Sequence, residues 1–178
     1  MVLGCFGDGG AILCNDDDTA SKIRLMRDHG RDERGDVHLW GFNSRLDNLQ
    51  AALLNHFFEN YDQTIARRRE IAEIYNSNLE HIKHVILPEP PSRNDLNFDV
   101  FQNYEIQTEK RDALRDFLSQ NGVGTLIQWG GKPVHQFEKL GFNQKLTFTD
   151  NLFGKLLMLP MNISLNDDDI RYICNIIK

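Results

Sequence analysis

Cysteine is scarce in this chain, positive charge is outweighed, and long apolar runs are missing. Only three cysteines occur among 178 residues. Cys5, Cys14 and Cys174 form no CxxC pair and leave one thiol over in any pairing. That excludes a disulfide framework and a cysteine-built zinc site, and fits a reduced, cytoplasmic protein. No apolar run approaches the ~18 residues of a membrane span, and the start lacks a basic segment followed by an apolar one. Against 26 acidic residues stand 20 Lys and Arg, a net charge of −6. This argues against a nucleic-acid or anionic-membrane binder, while leaving room for one local phosphate site. A chain that is 40% hydrophobic and 26% charged can bury a real core, as one domain or two small ones.

What is present is organised around Trp40-Gly41-Phe42-Asn43-Ser44-Arg45-Leu46-Asp47. Ser44-x-x-Asp47 reads as a capping-box-like start, with Phe42 two residues ahead of the cap. Leu46, Leu49, Leu53, Phe57, Tyr61 and Ile65 then recur every three or four residues, and Ile71, Ile74, Tyr75 and Leu79 continue the stripe. The spacing predicts one long helix from about Arg45 to about Leu79. A helix so far above the usual length bridges two bodies or kinks midway. Its N-terminus offers unpaired N–H groups and a positive dipole end. Asn43 adds an amide donor and Arg45 a guanidinium fork, so the stretch is a candidate phosphate site. An ordinary capped helix with a surface arginine is the alternative.

Before this stretch, Gly7-Asp8-Gly9-Gly10 lies between two apolar runs and predicts a hairpin; it is not GxGxxG. Asn15-Asp16-Asp17-Asp18 caps a helix that Gly30 ends. Arg67-Arg68-Arg69 points three ways around the long helix, so a solvated face is expected. His81-x-x-His84 has metal-like spacing but no further ligand nearby. Residues 87–97, rich in proline, read as a linker. Beyond it the pattern predicts strand character over Asp99–Gln107, a helix over Arg111–Gln120, and a strand over Thr125–Trp129. A helical turn over Gln136–Leu140 follows, then a helix from Thr149 to Met158, and a last helix capped by Ser164 with Ile170, Ile173 and Ile177 inward.

Several short motifs fall in a recognisable order: Gly7-Asp8-Gly9-Gly10-Ala11, Arg27-Asp28-His29-Gly30, Gly41-Phe42-Asn43-Ser44-Arg45-Leu46-Asp47 with Gln50-Ala51-Ala52, Arg67-Arg68-Arg69-Glu70-Ile71-Ala72, Pro133-Val134-His135 and Leu157-Met158-Leu159-Pro160-Met161. In this order the chain resembles the C-terminal half of the DegT/DnrJ/EryC1/StrS family, sugar-nucleotide aminotransferases dependent on pyridoxal phosphate. The resemblance implies an α/β architecture: the C-terminal portion of the fold type I, aspartate aminotransferase-like fold, ending in a small α+β domain. It assigns residues 1–35 to the tail of the large cofactor domain and 36–86 to the phosphate-site loop and interdomain helix. Residues 98–178 become the small domain, after the 87–97 linker. It further implies a homodimer in which Asn43 reaches the cofactor phosphate of the neighbouring subunit, with Arg45 assisting. His135 and Trp129 are implied substrate contacts; Gln128-Trp129-Gly130-Gly131 stands where many members have a histidine-tyrosine-proline run. The implied substrate is a nucleotide-linked keto-sugar, with glutamate as amino donor.

Transamination needs a lysine that forms a Schiff base with the cofactor and moves the proton. By resemblance that lysine aligns at or before Met1, and the first lysine present is Lys22. The expectation is therefore a fragment inactive alone. Two other readings stay open: a dehydratase of the same fold, and a non-catalytic dimerisation partner. The large-domain remnant, to about residue 60, is expected to fray or aggregate for want of packing partners, while the small domain folds alone.

Overall fold

The computed structural model describes residues 4, 7–92 and 97–178. The chain divides into two compact units, one running to Tyr61 and the other spanning Asp62–Lys178. The first arm of the predicted hairpin lies mostly outside the described residues. Its second arm, residues 11–14, forms no strand.

In the first unit, helix α1 spans Asp17–Met26, capped by the Asp16 carboxylate, which accepts from the Thr19 amide at 2.7 Å. Asp17 and Asp18 in the first turn complement its dipole. The helix unwinds through left-handed His29 and Gly30, at φ 60° and 77°, and the Gly30 amide closes back on the Leu25 carbonyl at 2.8 Å. Helix α2 spans Asn48–Phe58 and α3 spans Tyr61–Leu79, so the single helix expected from Arg45 is two helices with a later start. Ser44 is not the cap, because its amide donates to the Arg27 carbonyl at 2.9 Å and ties the loop to the end of α1. The break falls at Glu59-Asn60, where the Asn60 amide turns to Phe57 three residues back. Asparagine is a weak helix former. Neither α1 nor α2 buries a residue.

The second unit holds the core. Ile71, Tyr75 and Leu79 of α3 are fully buried, as are Tyr104, Ile106, Leu118, Leu157, Ile170 and Cys174. Strand β1 (Tyr104–Gln107) pairs antiparallel with β2 (Leu156–Leu159), Tyr104 opposite Leu159. Helices α4 (Arg111–Gln120), α5 (Thr147–Phe153) and α6 (Asp167–Ile177) complete it. Residues 156–158 were expected within a helix. Gly154 instead caps α5, and the short apolar run, which periodicity cannot assign, joins the sheet. The strand expected over 125–129 shrinks to one bridge, Leu126 with Met158. Strand β1 begins only at Tyr104, three residues after left-handed Phe101. The cap of α6 is Asn166, in a reciprocal box with Asp169, rather than Ser164.

The triple arginine is no solvated face. Arg68 is buried and its Nη1 donates to the carbonyls of Phe101, Gln102 and Met161 at 2.9, 3.0 and 3.2 Å. Burial lowers its pKa from the ordinary arginine value. Arg67 pairs with Asp167 at 2.9 Å and donates to the Leu165 carbonyl. Arg69 lies 4.1 Å over the Phe98 ring and donates to the carbonyls of Asp99 and Ser92. Three directions around one helix thus meet residues that precede β1 and residues that follow β2. Tyr75 and Tyr104 stack at 4.7 Å between centroids, and their hydroxyls bond to Pro160 O and Asn76 Oδ1, each at 2.9 Å.

Candidate functional site

Two arrangements merit functional reading, one in each unit. In the first, the 41–45 loop lies antiparallel to the end of α1. Phe42 N donates to Met26 O at 2.6 Å and His29 N to Phe42 O at 2.9 Å, with Asp28 opposite Asn43. Backbones come so close that two glycines are obligatory. A Cβ on Gly41 would stand 2.2 Å from Gly30 N, and one on Gly30 would stand 1.7 Å from Leu39 O. Two of the sequence motifs, Arg27-Asp28-His29-Gly30 and Gly41-Phe42-Asn43, are thus the two sides of one ribbon.

Asn43 and Arg45 both sit on this ribbon's exposed edge. Arg45 Nε donates to Asn43 Oδ1 at 3.1 Å and its Nη1 lies 3.5 Å from Asp28. Asp28 is also gripped by Arg31 at 3.0 Å. Arg31 foremost, with Arg45 and His29, holds the Asp28 carboxyl below its ordinary value. Because the Asn43 carbonyl faces Arg45, its amide NH2 is the free pole, a donor suited to an oxyanion. A cleft of about 550 Å³ opens here, lined by Gly9, Gly10, Asn43, Ser44 and Arg45, with Asp8 and Asp47 as its carboxylates. No lysine lines it.

In the second unit, Trp129, Gly130 and Gly131 are left-handed in succession, at φ 52°, 63° and 76°. Arg111 Nη1 lies against this turn. It donates to Phe153 O at 2.8 Å and would stand 3.2 Å from a Cβ on Gly131. The turn leaves Trp129 76% exposed at the edge of an apolar cavity of about 850 Å³. Val134, Phe137, Leu146 and Phe153 line it, together with His135, Lys132 and Lys139. His135 is buried, and its Nε2 lies 2.8 Å from Asp150 Oδ1. Gln136 Nε2 reaches the same oxygen at 2.6 Å. Gln136 first and His135 second keep the Asp150 carboxyl below its ordinary value. An ionised carboxylate only accepts, so Nε2 carries the hydrogen.

The sequence pointed to Asn43, Arg45, Trp129 and His135. The structure joins Asn43 to Arg45 directly and places Trp129 and His135 on one cavity. It adds Asp28, Asp150 and the two lysines. Asp150 falls at the start of the helix expected from Thr149, and nothing in the sequence links it to a histidine 15 residues earlier. Among the described residues no group of three metal-ligating side chains occurs, and no helix is long and apolar enough to cross a membrane.

The profile of the DegT/DnrJ/EryC1/StrS aminotransferase family matches residues 2–178. A pleiotropic regulatory protein of Geobacillus stearothermophilus is 35% identical over 175 residues, covering 96% of this chain and 46% of that protein. The UDP-2-acetamido-2-deoxy-3-oxo-D-glucuronate aminotransferase of Pseudomonas aeruginosa is 35% identical over 176 residues, covering 97% of this chain and 47% of the relative. A crystal structure of a DegT DnrJ EryC1 StrS aminotransferase from Brucella abortus superposes with TM-score 0.88 at 33% identity, covering 99% and 47% of the two chains. The chain spans about half the length of the relatives it matches. Its architecture is that of the corresponding half of the fold type I aminotransferases.

Proposed function

The chain belongs to the DegT/DnrJ/EryC1/StrS aminotransferase family, and on that premise we propose that it furnishes the phosphate-site loop and small domain of a pyridoxal phosphate-dependent enzyme aminating a nucleotide-linked keto-sugar. The observation that carries this reading is the Asn43–Arg45 pair on its glycine-locked ribbon, which presents an amide donor and a guanidinium to one cleft. These groups fit a phosphate: both donate, and the backbone beside them cannot admit a side chain. Residues 1–35 then belong to the large domain, 36–86 carry the loop and the helices leading from it, 87–97 link, and 98–178 form the small domain.

In this reading Asn43 holds the cofactor phosphate of the neighbouring subunit in a homodimer. Arg45 orients the Asn43 amide and adds positive charge. His135 and Trp129 contact the substrate, and glutamate donates the amino group. Pyridoxal phosphate supplies the electron sink for removing a proton from the carbon that carries nitrogen. The residues described here bind and orient; none is a lysine placed at the phosphate cleft, and the chain by itself is inactive. A cytoplasmic setting accords with this chemistry.

A chimera tests the reading. Residues 2–178 replace the matching half of the Pseudomonas aeruginosa relative, which is then assayed with a keto-sugar nucleotide and glutamate. Amino-sugar formation is expected, and Asn43→Ala should weaken cofactor affinity by about tenfold, the loss of one charge-assisted bond. A folded, cofactor-loaded chimera that makes no amino-sugar would refute it.

A further inference from the structure

The ribbon that carries Asn43 is paired at two bridges whose registers disagree. At its open end Asp28 faces Asn43, between the bonds Ser44 N to Arg27 O and His29 N to Phe42 O, both 2.9 Å. Near the turn Arg31 faces Val37, and His38 N donates to Gly30 O at 2.9 Å. From one bridge to the other, one side runs from Asp28 to Arg31 and the other from Asn43 to Val37, twice the length. The surplus is taken up at Leu39-Trp40-Gly41, which bulge past Gly30. A short, glycine-containing ribbon with such a break has little side-chain pattern to hold its register, and a slip of one residue turns every side chain to the other face. The register therefore depends on the turn.

That turn, residues 31–38, is built on one carboxylate. Asp32 is the only residue within it that is not exposed. Its Oδ1 accepts from the amides of Arg34 and Asp36 at 2.9 and 3.0 Å, and its Oδ2 lies 2.8 Å from His38 Nε2. The backbone repeats the closure, with Asp32 N donating to Asp36 O at 2.9 Å and Gly35 N to Asp32 O at 3.0 Å. His38 foremost, with the amides of Asp36 and Arg34, holds the Asp32 carboxyl below its ordinary value. The carboxylate is thus ionised at neutral pH, and His38 Nε2 is the donor. Arg31 does not compete for it, being engaged with Asp28 at 3.0 Å. His38 gives its side chain to Asp32 and its backbone N–H to Gly30, so the hold on Asp32 decides which residue lies beside Gly30.

We propose that Asp32, through His38, is a positioning residue for Asn43: it fixes the register of the ribbon and so keeps the Asn43 amide at the phosphate cleft. Neither Asp32 nor His38 lines that cleft, so both act through the backbone. This rests on the reading of the cleft as the cofactor-phosphate site and adds the remote pair on which its geometry depends.

The register has a direct mark. Asp28 and Asn43 form the closer, non-hydrogen-bonded kind of antiparallel pair, whose α-protons give a nuclear Overhauser contact in the labelled full chain. That contact is expected in the unsubstituted chain and in Asp32→Asn, whose side-chain oxygen still accepts from both amides. His38→Gln, which keeps a donor, should retain it as well. Asp32→Ala and His38→Ala should lose it while the signals of α1 stay in place. Retention of the contact in Asp32→Ala, its absence from the unsubstituted chain, or collapse of α1 in both alanine variants would overturn the positioning role. The second readout is cofactor affinity in the chimera. Asp32→Ala should weaken it about tenfold, as Asn43→Ala does, and should cost nothing further once Asn43 is already alanine. Losses that multiply in the double variant would show that Asp32 does not act through Asn43. A chimera that binds no cofactor overturns the wider reading and the phosphate role with it. A contact that survives in Asp32→Ala overturns the positioning role alone and leaves that reading standing.

Discussion

Arg68→Met tests how the second unit is held together. Arg68 is 8% exposed, and a single nitrogen, Nη1, faces the carbonyls of Phe101, Gln102 and Met161. That nitrogen has two hydrogens, so three contacts amount to two full bonds with one shared. At about 1.5–3 kcal/mol for each bond to a charged group, the clamp contributes roughly 3–6 kcal/mol. Against this stands the cost of burying the guanidinium, visible in its lowered pKa and in an Nε with no partner. Methionine keeps the apolar stem and removes the buried charge, but leaves Phe101 O in a dry setting, a penalty of about 1–3 kcal/mol. The other two carbonyls are partly buried and regain water. Relaxation of left-handed Phe101 returns part of the loss. The net is a destabilisation of about 2 kcal/mol, which at a slope of about 2 kcal/mol/M moves the urea midpoint down by about 1 M. Urea unfolding followed by far-ultraviolet circular dichroism reads this directly. An unchanged or higher midpoint would show that desolvation cancels the bonds and that the arginine specifies loop geometry without stabilising it.

Gly41→Ala should destroy the ribbon behind Asn43, since its Cβ meets only backbone atoms within 2.8 Å; amide exchange at His29 and Ser44 should lose protection, whereas that of β1 and β2 stays. Asp150, whose pKa is depressed in the folded chain, contributes stability that is present above the unfolded value of about 3.9 and is lost as pH falls through its lower folded value. Asp150→Asn should therefore flatten the dependence of the urea midpoint on pH below about pH 4, and an unaltered acid limb would rule the contact out. Cys174 is fully buried with its thiol pushed up to about 11, while Cys14 is exposed; mass spectrometry after iodoacetamide at neutral pH should find Cys14 modified and Cys174 untouched until urea is added. Among the described residues the buried hydrophobic side chains lie between Ile71 and Ile177, so amides of α1 and α2 should exchange with an opening free energy near zero, while those of α3 and the sheet follow global unfolding.

Where a local signal decides the structure, the sequence was enough. Helix α4 runs over the same residues, Arg111–Gln120, that its apolar spacing marks. Ile170, Ile173 and Ile177 of α6 face the core as their period requires. Failures came where a distant partner decides. Residues 156–159 carry no period that separates strand from buried helix, and β1, some fifty residues earlier in sequence, settles the matter. The triple arginine looks like surface charge because nothing local reveals the carbonyls of Asp99, Phe101 and Leu165 that it meets. At the candidate sites, residue types with special chemistry could be picked out, but their partners Asp28 and Asp150 could not. A carboxylate that orients a functional group is indistinguishable in sequence from one that caps a helix.

Backbone strain offers a line of reasoning about function that does not depend on side-chain chemistry. Among the described residues, three that are not glycine have positive φ: His29, Phe101 and Trp129. Each forgoes on the order of 1–2 kcal/mol, which persists only where the surroundings enforce it. Phe101 has an evident enforcer, since it is buried and its carbonyl is held by Arg68. His29 is enforced by the ribbon that carries Asn43, through its bond to Phe42. Trp129 has no such anchor in the core, because its side chain is largely in solvent. A glycine there would adopt the same turn without strain and would match the two that follow. Trp129→Gly should therefore leave the fold at least as stable while removing the exposed indole at the cavity's edge. Strain without a structural beneficiary is what a binding residue looks like from the backbone, and it supports the substrate contact proposed for Trp129.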